Sequence, residues 1–313
     1  MKLLLSKPRG FCAGVERAIE TVEKALVLWG APIYVKHEIV HNKYVVDGLR
    51  AKGAVFIEDI DEVPVGARLI YSAHGVSPAV REQAQKRGLI EIDATCGLVT
   101  RVHSAVKRFA ALGYQIVLIG HRNHVEIIGT AGEAPNVTTI VESVEDVEAL
   151  TFSLSQKLFY ITQTTLSLDD VKEITDALLK KYPQIETLPT SSICYATTNR
   201  QMALREITDV VDLVLVVGDP QSSNSNRLRE VSAKRGIDSY LINHAGEINP
   251  KWMVGKKVIG LTAGASTPET IVQKCIQRLM ELGVNEVEDV VFTNEDVVFQ
   301  LPKPIVTALA QVS

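Results

Sequence analysis

Gly10-Phe11-Cys12-Ala13-Gly14-Val15-Glu16-Arg17-Ala18-Ile19 sets a cysteine at the end of a non-helical stretch, directly before residues with helical spacing. The arrangement recurs in Ala94-Thr95-Cys96-Gly97-Leu98-Val99-Thr100-Arg101-Val102 and in Ser192-Ile193-Cys194-Tyr195-Ala196-Thr197-Thr198-Asn199-Arg200. Val15, Ile19, Val22 and Leu26 can share one helix face, as can Val99, Val102, Val106 and Phe109. Each cysteine is therefore expected at or just before a helix N-terminus. An apolar strand follows each helix and ends in polar, ligand-like residues. Pro32-Ile33-Tyr34-Val35 leads to His37 and His41, Gln115–Ile119 to His121 and His124, and Leu213–Val217 to Ser222, Ser223 and Asn224. His41, His124 and Asn224 stand 29, 28 and 30 residues after their cysteines. A second strand then ends at His74, Thr164 or Ser266, at offsets of 62, 68 and 72.

Cysteine, helix, strand, cluster, strand, cluster thus occurs three times, in units the size of a small α/β domain. Short strands alternating with helices imply parallel sheets, and in such sheets ligands gather at the carboxyl ends of the strands. The expected fold is α/β: three similar small domains with parallel sheets, in a pseudo-threefold arrangement around one shared site. The expected boundaries are 1–96 with Cys12, 97–192 opened by Cys96, and 193–281 with Cys194. Residues 282–313 break the pattern and read as a tail that packs on another domain.

Composition narrows the function. Across 313 residues, 33 Lys and Arg face 37 Asp and Glu, for a formal charge of −4. That slight acidity argues against nucleic acid or anionic lipid as the main partner. No apolar run approaches the ~20 residues of a membrane span, and Met1–Leu5 is too short for a signal-peptide core. A soluble, cytoplasmic protein is expected. The four cysteines contain no C-x-x-C pair, which excludes the usual zinc-ribbon and thioredoxin patterns. Three recurring thiols suit zinc or an iron–sulfur cluster. Structural zinc draws on locally paired cysteines and a fourth ligand, and Cys275 lies out of step, on an apolar helix face with Ile271, Val272 and Leu279. A [4Fe–4S] cluster held by three cysteines leaves one iron open for catalysis.

The clusters at the strand ends carry hydrogen-bonding groups and few cations. Ser222-Ser223-Asn224-Ser225 and Gly264-Ala265-Ser266-Thr267 look like loops that open helices, where hydroxyls and backbone N–H groups can cradle a phosphate. Any one such serine is more simply an N-cap; the two loops in step with the cysteines favour an anion site. No G-x-x-x-x-G-K-[ST] occurs. Glu126, two residues after His124, is the best placed carboxylate for delivering protons. His103 and His244 lack a counterpart in the repeat and are expected to be structural or exposed.

These residues resemble the 4-hydroxy-3-methylbut-2-enyl diphosphate reductase family along almost the whole chain. The resemblance rests on Pro8–Val15, His37–Asn42, Ser72–Pro78, Asp93–Cys96, Gly120-His121 with His124, Thr162–Thr165, Cys194–Gln201, Ser222–Ser225 and Thr262–Ser266. It implies reductive removal of the allylic hydroxyl of 4-hydroxy-3-methylbut-2-enyl diphosphate, giving isopentenyl and dimethylallyl diphosphates, the last step of the non-mevalonate pathway. It also implies that Cys12, Cys96 and Cys194 bind one [4Fe–4S] cluster with an open iron. The diphosphate would be held by His41, His74, His124, Ser222, Ser223, Asn224 and Ser266. Thr164 would orient the hydroxyl, Glu126 would anchor the proton relay, and a ferredoxin or flavodoxin would supply single electrons. The chain departs from the usual family pattern in having Gly97 and Val125 where Pro is common, and Pro220 where Pro is not. Loss of Pro frees φ and is expected to loosen those loops.

Two other classes fit part of the pattern. A three-cysteine dehydratase resembling quinolinate synthase would need no external electrons. An iron–sulfur sensor would need neither Ser-rich loop nor Glu126 and commonly carries a basic nucleic-acid-binding element. Replacing Cys12, Cys96 or Cys194 with Ser is expected to abolish iron binding in anaerobically purified protein, measured as iron and sulfide per chain, while Cys275→Ser retains it.

Overall fold

Leu213–Val217 is a run of five apolar residues, and every one is fully buried. That pattern marks a parallel strand covered on both faces. The computed structural model describes residues 1–312 and contains three sheets, each built from parallel pairs. The five-stranded sheet runs in the order Asp238–Ile242, Leu213–Val217, Val258–Ala263, Lys2–Lys7, Glu286–Val291. The four-stranded sheet has the order Ala54–Ile57, Ile33–Lys36, Arg68–Tyr71, Ile90–Asp93. The three-stranded sheet has the order Thr138–Val141, Gln115–Ile119, Leu158–Thr162.

The chain divides into two compact units. The first comprises Met1–Val15, His41–Val45 and Cys194–Val298 and contains the five-stranded sheet. The second comprises Glu16–Val40, Val46–Ile193 and Phe299–Ser313 and contains the other two sheets.

In the five-stranded sheet the period-2 alternation feeds two cores. Leu3, Leu5, Leu215, Val217 and Leu261 pack with Ile271, Val272, Cys275 and Leu279 of the helix Glu269–Glu281. Leu4, Val214 and Val216 pack with Leu204 and Ile207 of the helix Tyr195–Thr208 and with Leu228 and Val231 of the helix Ser223–Ala233.

Three sequence expectations change in detail. Residues 1–96 do not share one sheet, because Lys2–Lys7 pairs with Val258–Ala263 and Glu286–Val291. Its three consecutive leucines need cover on both faces, which the five-stranded sheet supplies. The tail after Leu282 carries regular structure of its own. Glu286–Val291 is an edge strand whose Glu286 and Glu288 both reach Lys2 Nζ, at 2.8 and 2.6 Å, and Lys303–Val312 is a helix. Charges along an edge strand discourage further pairing. On the helix Ala13–Trp29 the deepest positions are Ala18, Thr21, Val22 and Ala25, shifted from the larger Val15, Ile19 and Leu26, since small side chains allow the closest approach. No helix among the described residues is long and apolar enough to cross a membrane.

Leu215→Ala removes a fully buried side chain from the central sheet and is expected to cost about 2–5 kcal/mol, read as a lowered urea midpoint. Val65→Ala, at a position 79% exposed, should shift the midpoint by no more than about 0.5 kcal/mol.

Candidate active site

In the first unit, the loop carrying Cys12 is stitched to the loop carrying Ser266. Gly10 N–H donates to Ala263 O and Cys12 N–H to Ala265 O, both at 3.3 Å. Ser266 Oγ in turn donates to His41 O at 2.9 Å. Ser222 caps the helix Ser223–Ala233, its hydroxyl accepting from Ser225 N–H at 3.3 Å. That helix start lies close against the ends of two strands, where a Cβ on either Gly218 or Gly264 would collide with Ser225 Oγ. Asn224 is 4% exposed, and neither its amide oxygen nor its amide nitrogen has a hydrogen-bond partner. Buried polar atoms are usually paired, so this amide is a candidate contact for a polar ligand. Contacts within this unit thus tie Cys12, His41, Ser266 and the Ser222–Asn224 helix start into one network.

Cys194 caps the helix Tyr195–Thr208; its sulfur accepts from Thr197 N–H at 3.3 Å and meets Thr197 Oγ1 at 3.1 Å. Next to it, burial pushes the Tyr195 phenol well above its ordinary range, and the charges of Cys12 and Glu295 push it further. Cys12 and Cys194 are both partly exposed.

In the second unit, Cys96 caps the helix Gly97–Ala111, and its N–H donates to Ala73 O at 2.9 Å, beside His74. The rings of His74 and His124 meet edge to face, 5.9 Å between centroids. His124 caps the helix Val125–Ala131, with Nδ1 accepting from Glu126 N–H at 3.1 Å. Glu126 is no solvated loop carboxylate: it is 2% exposed and both oxygens are engaged by Thr164. Thr164 N–H donates to Oε1 at 2.7 Å and Thr164 Oγ1 donates to Oε2 at 2.8 Å. The carboxylate, the hydroxyl and the two histidines therefore belong to one polar cluster.

The donors suit thiolate ligation of iron. Three partly exposed cysteines stand at helix N-termini, and none of the four cysteines forms a disulfide. Among the described residues no three His, Cys, Asp or Glu side chains form a ready-made single-ion site. Cys275 differs in kind: it is fully buried and its thiol is pushed up to about 12 by burial. His103 is also buried, Nδ1 lying 2.7 Å from Glu133 Oε1, while His244 is exposed and caps a short turn.

A family profile described as LytB protein matches residues 3–280. The chain is 83% identical over 308 residues to a protein of Protochlamydia amoebophila named 4-hydroxy-3-methylbut-2-enyl diphosphate reductase, covering 98% of each. The chain belongs to the LytB family of 4-hydroxy-3-methylbut-2-enyl diphosphate reductases. Its fold matches the E-1-hydroxy-2-methyl-but-2-enyl-4-diphosphate reductase of Plasmodium falciparum at a TM-score of 0.97 and 49% identity, over 100% of this chain and 98% of that one. A second solved reductase, described as the terminal enzyme of the non-mevalonate pathway, matches at 0.64 and 32% identity, over 90% and 99%.

Against the family pattern, the three departures are each accommodated locally. Gly97 opens its helix beneath the ring of Phe299, which would lie 3.4 Å from a Cβ there. Val125 occupies the first helical turn under the His124 cap, a position that tolerates Val or Pro alike. Pro220 is second in the turn Asp219–Ser222, closed by Ser222 N–H to Asp219 O at 2.9 Å, where its fixed φ fits. Sequence reasoning missed Gly218 and Gly264 as places of close approach; their side-by-side position after two strands of one repeat was the available signal.

Gly264→Ala is expected to displace the helix start and weaken inorganic pyrophosphate binding by at least ~10-fold in calorimetry, with the fold retained. Adding Ser225→Ala removes the colliding hydroxyl and should restore much of that affinity.

Proposed function

We propose that the protein reductively dehydroxylates 4-hydroxy-3-methylbut-2-enyl diphosphate to isopentenyl and dimethylallyl diphosphates, the last step of the non-mevalonate pathway. Family membership along nearly the whole chain carries this reading. Balance requires two electrons and two protons for each water released. Cys12, Cys96 and Cys194 would hold a [4Fe–4S] cluster, which when bound supplies single electrons and a Lewis-acidic iron. Those electrons would come from a ferredoxin or flavodoxin in the cytoplasm.

The diphosphate would be bound by Ser222, Ser223, Asn224 and Ser266 with His41, His74 and His124. Asn224 is buried with its amide nitrogen unmatched, and that N–H group gains an acceptor when an anion arrives. The N–H groups at the start of the helix Ser223–Ala233 add positive potential without a mobile cation. Glu126 and Thr164 would serve the leaving hydroxyl. A proton on Glu126 passes to the Thr164 hydroxyl as that hydroxyl gives up its own, so one proton reaches the substrate oxygen and leaves as water. The second proton goes to the allylic carbon skeleton. A sensor would leave this buried carboxylate–hydroxyl pair without a task, whereas a dehydratase would use it but would turn over without external electrons.

Anaerobic protein loaded with iron and sulfide is expected to convert the allylic diphosphate only when a reductant is supplied. Glu126→Gln keeps size and hydrogen bonding but has no acidic proton, and should turn over at least ~10²-fold more slowly in single-turnover kinetics while retaining its iron. Wild-type rates in that variant would transfer proton delivery to water or to the substrate's own diphosphate. Turnover without reductant would favour the dehydratase.

A further inference from the structure

Arg200 is the largest fully buried side chain of the protein, and the proposed reaction gives it no task. A guanidinium is tolerated without water only where its donors and charge are matched. Arg200 Nε and Nη2 both donate to Gly10 O, at 3.2 and 2.8 Å, and Nη2 also donates to Phe11 O at 3.1 Å. Nη1 donates to Ala196 O at 2.9 Å and to both oxygens of Glu295, at 3.1 and 3.2 Å. Gly10 and Phe11 are the two residues immediately before Cys12. Tyr195, on the same helix, interacts electrostatically with the backbone of Ala13, immediately after Cys12. The helix that follows Cys194 therefore grips the chain on both sides of Cys12.

The same connection recurs around the repeat. Arg17 lies five residues after Cys12 and donates to Asp93 O at 3.3 Å and Thr95 O at 3.0 Å, directly before Cys96. Arg101 lies five residues after Cys96 and donates to Thr190 O at 3.2 Å and to the Thr190 hydroxyl, four residues before Cys194. Arg200, six residues after Cys194, returns to the residues before Cys12. Each arginine ties the helix that follows one cysteine to the chain that delivers the next. Two of them are also held by the carboxy-terminal segment: Arg200 by Glu295, and Arg17 by Gln300 O, which accepts from its Nε at 2.6 Å.

We propose that Arg17, Arg101 and Arg200 are positioning residues for the metal ligands, a closed cycle of guanidinium-to-carbonyl contacts that sets each cysteine loop from the helix of the one before. This rests on the cluster reading above. A fork of fixed N–H groups fits this role better than a lysine, whose single ammonium cannot hold two carbonyls in defined directions. Residues that orient metal ligands commonly change metal retention by about 10–100-fold when replaced.

The test compares Arg200→Lys, Arg17→Lys, Arg101→Lys and Tyr195→Phe as anaerobically reconstituted holoproteins. Arg87→Lys is the control, since Arg87 also donates to two backbone carbonyls, Asp61 O and Val63 O, but adjoins no cysteine. The readouts are iron release to a chelator, the electron paramagnetic resonance spectrum of the reduced cluster, and the thermal midpoint. Arg200→Lys is expected to release iron at least ~10-fold faster with an altered spectrum. Arg17→Lys and Tyr195→Phe should show smaller changes of the same kind, and the exposed Arg101 the smallest. Arg87→Lys should lose thermal stability yet release iron at the wild-type rate. Should Arg200→Lys fail to fold, Arg17→Lys and Tyr195→Phe decide. Wild-type release and spectra in both, or equally fast release from Arg87→Lys, overturn the proposal. A wild-type protein that takes up no iron overturns the cluster reading itself, and the proposal with it.

Discussion

In the first unit the start of the helix Ser223–Ala233 rests against the ends of Leu213–Val217 and Val258–Ala263, and nothing larger than hydrogen can stand at Gly218 or Gly264 while it does. That steric constraint aims the unsatisfied N–H groups of the first helical turn past the strand ends. Ser222 satisfies one of them, and Asn224 is carried in buried with its amide unmatched. The loop that holds Gly264 also provides the carbonyls that fix Cys12 and the hydroxyl that fixes His41. Close approach at two glycines thus couples the start of the helix Ser223–Ala233 to a cysteine loop.

The second unit repeats the device with different chemistry. Gly120 follows Gln115–Ile119 as Gly218 follows Leu213–Val217, and a Cβ there would collide with Ile127 of the helix Val125–Ala131. His124 caps that helix where Ser222 caps the other. The helix delivers a carboxylate in place of an amide, and Glu126 accepts from both the N–H and the hydroxyl of Thr164. Burial of this carboxylate would be costly without them, so the pair is held as a unit. Cys96 joins the cluster through the carbonyl before His74, much as Cys12 joins through the carbonyl before Ser266. Electrostatic matching carries down to the approach to Cys96. Burial alone would raise the Asp93 carboxyl, but hydrogen bonds from Thr95 and the charge of Arg81 hold it below its usual range.

Much of this was legible in the residue string because it depends on side-chain identity at regular spacing. Three cysteines before helical periodicity, strands of unbroken apolar residues, and polar residues at matched offsets led to parallel sheets with polar clusters at the strand ends. The inert Cys275 was legible for the same reason, from its place on an apolar helix face. The tail after Leu282 was legible only as a break in the repeat, because the partner that makes Glu286–Val291 a strand, Lys2–Lys7, lies at the other end of the chain.

What the sequence determined by itself was the repeat, the cysteines that open each helix and the identity of the groups at the strand ends. What only the tertiary structure decided was how these parts are held. Arg17, Arg101 and Arg200 look like ordinary helix arginines in the string, since the atoms they bind are backbone carbonyls, which every residue possesses and no sequence distinguishes. The pairing of Thr164 with Glu126 spans 38 residues and that of Arg200 with Gly10 spans 190. Contacts of that separation are selected by how the sheets bring chain segments together, a property of packing that local spacing does not encode.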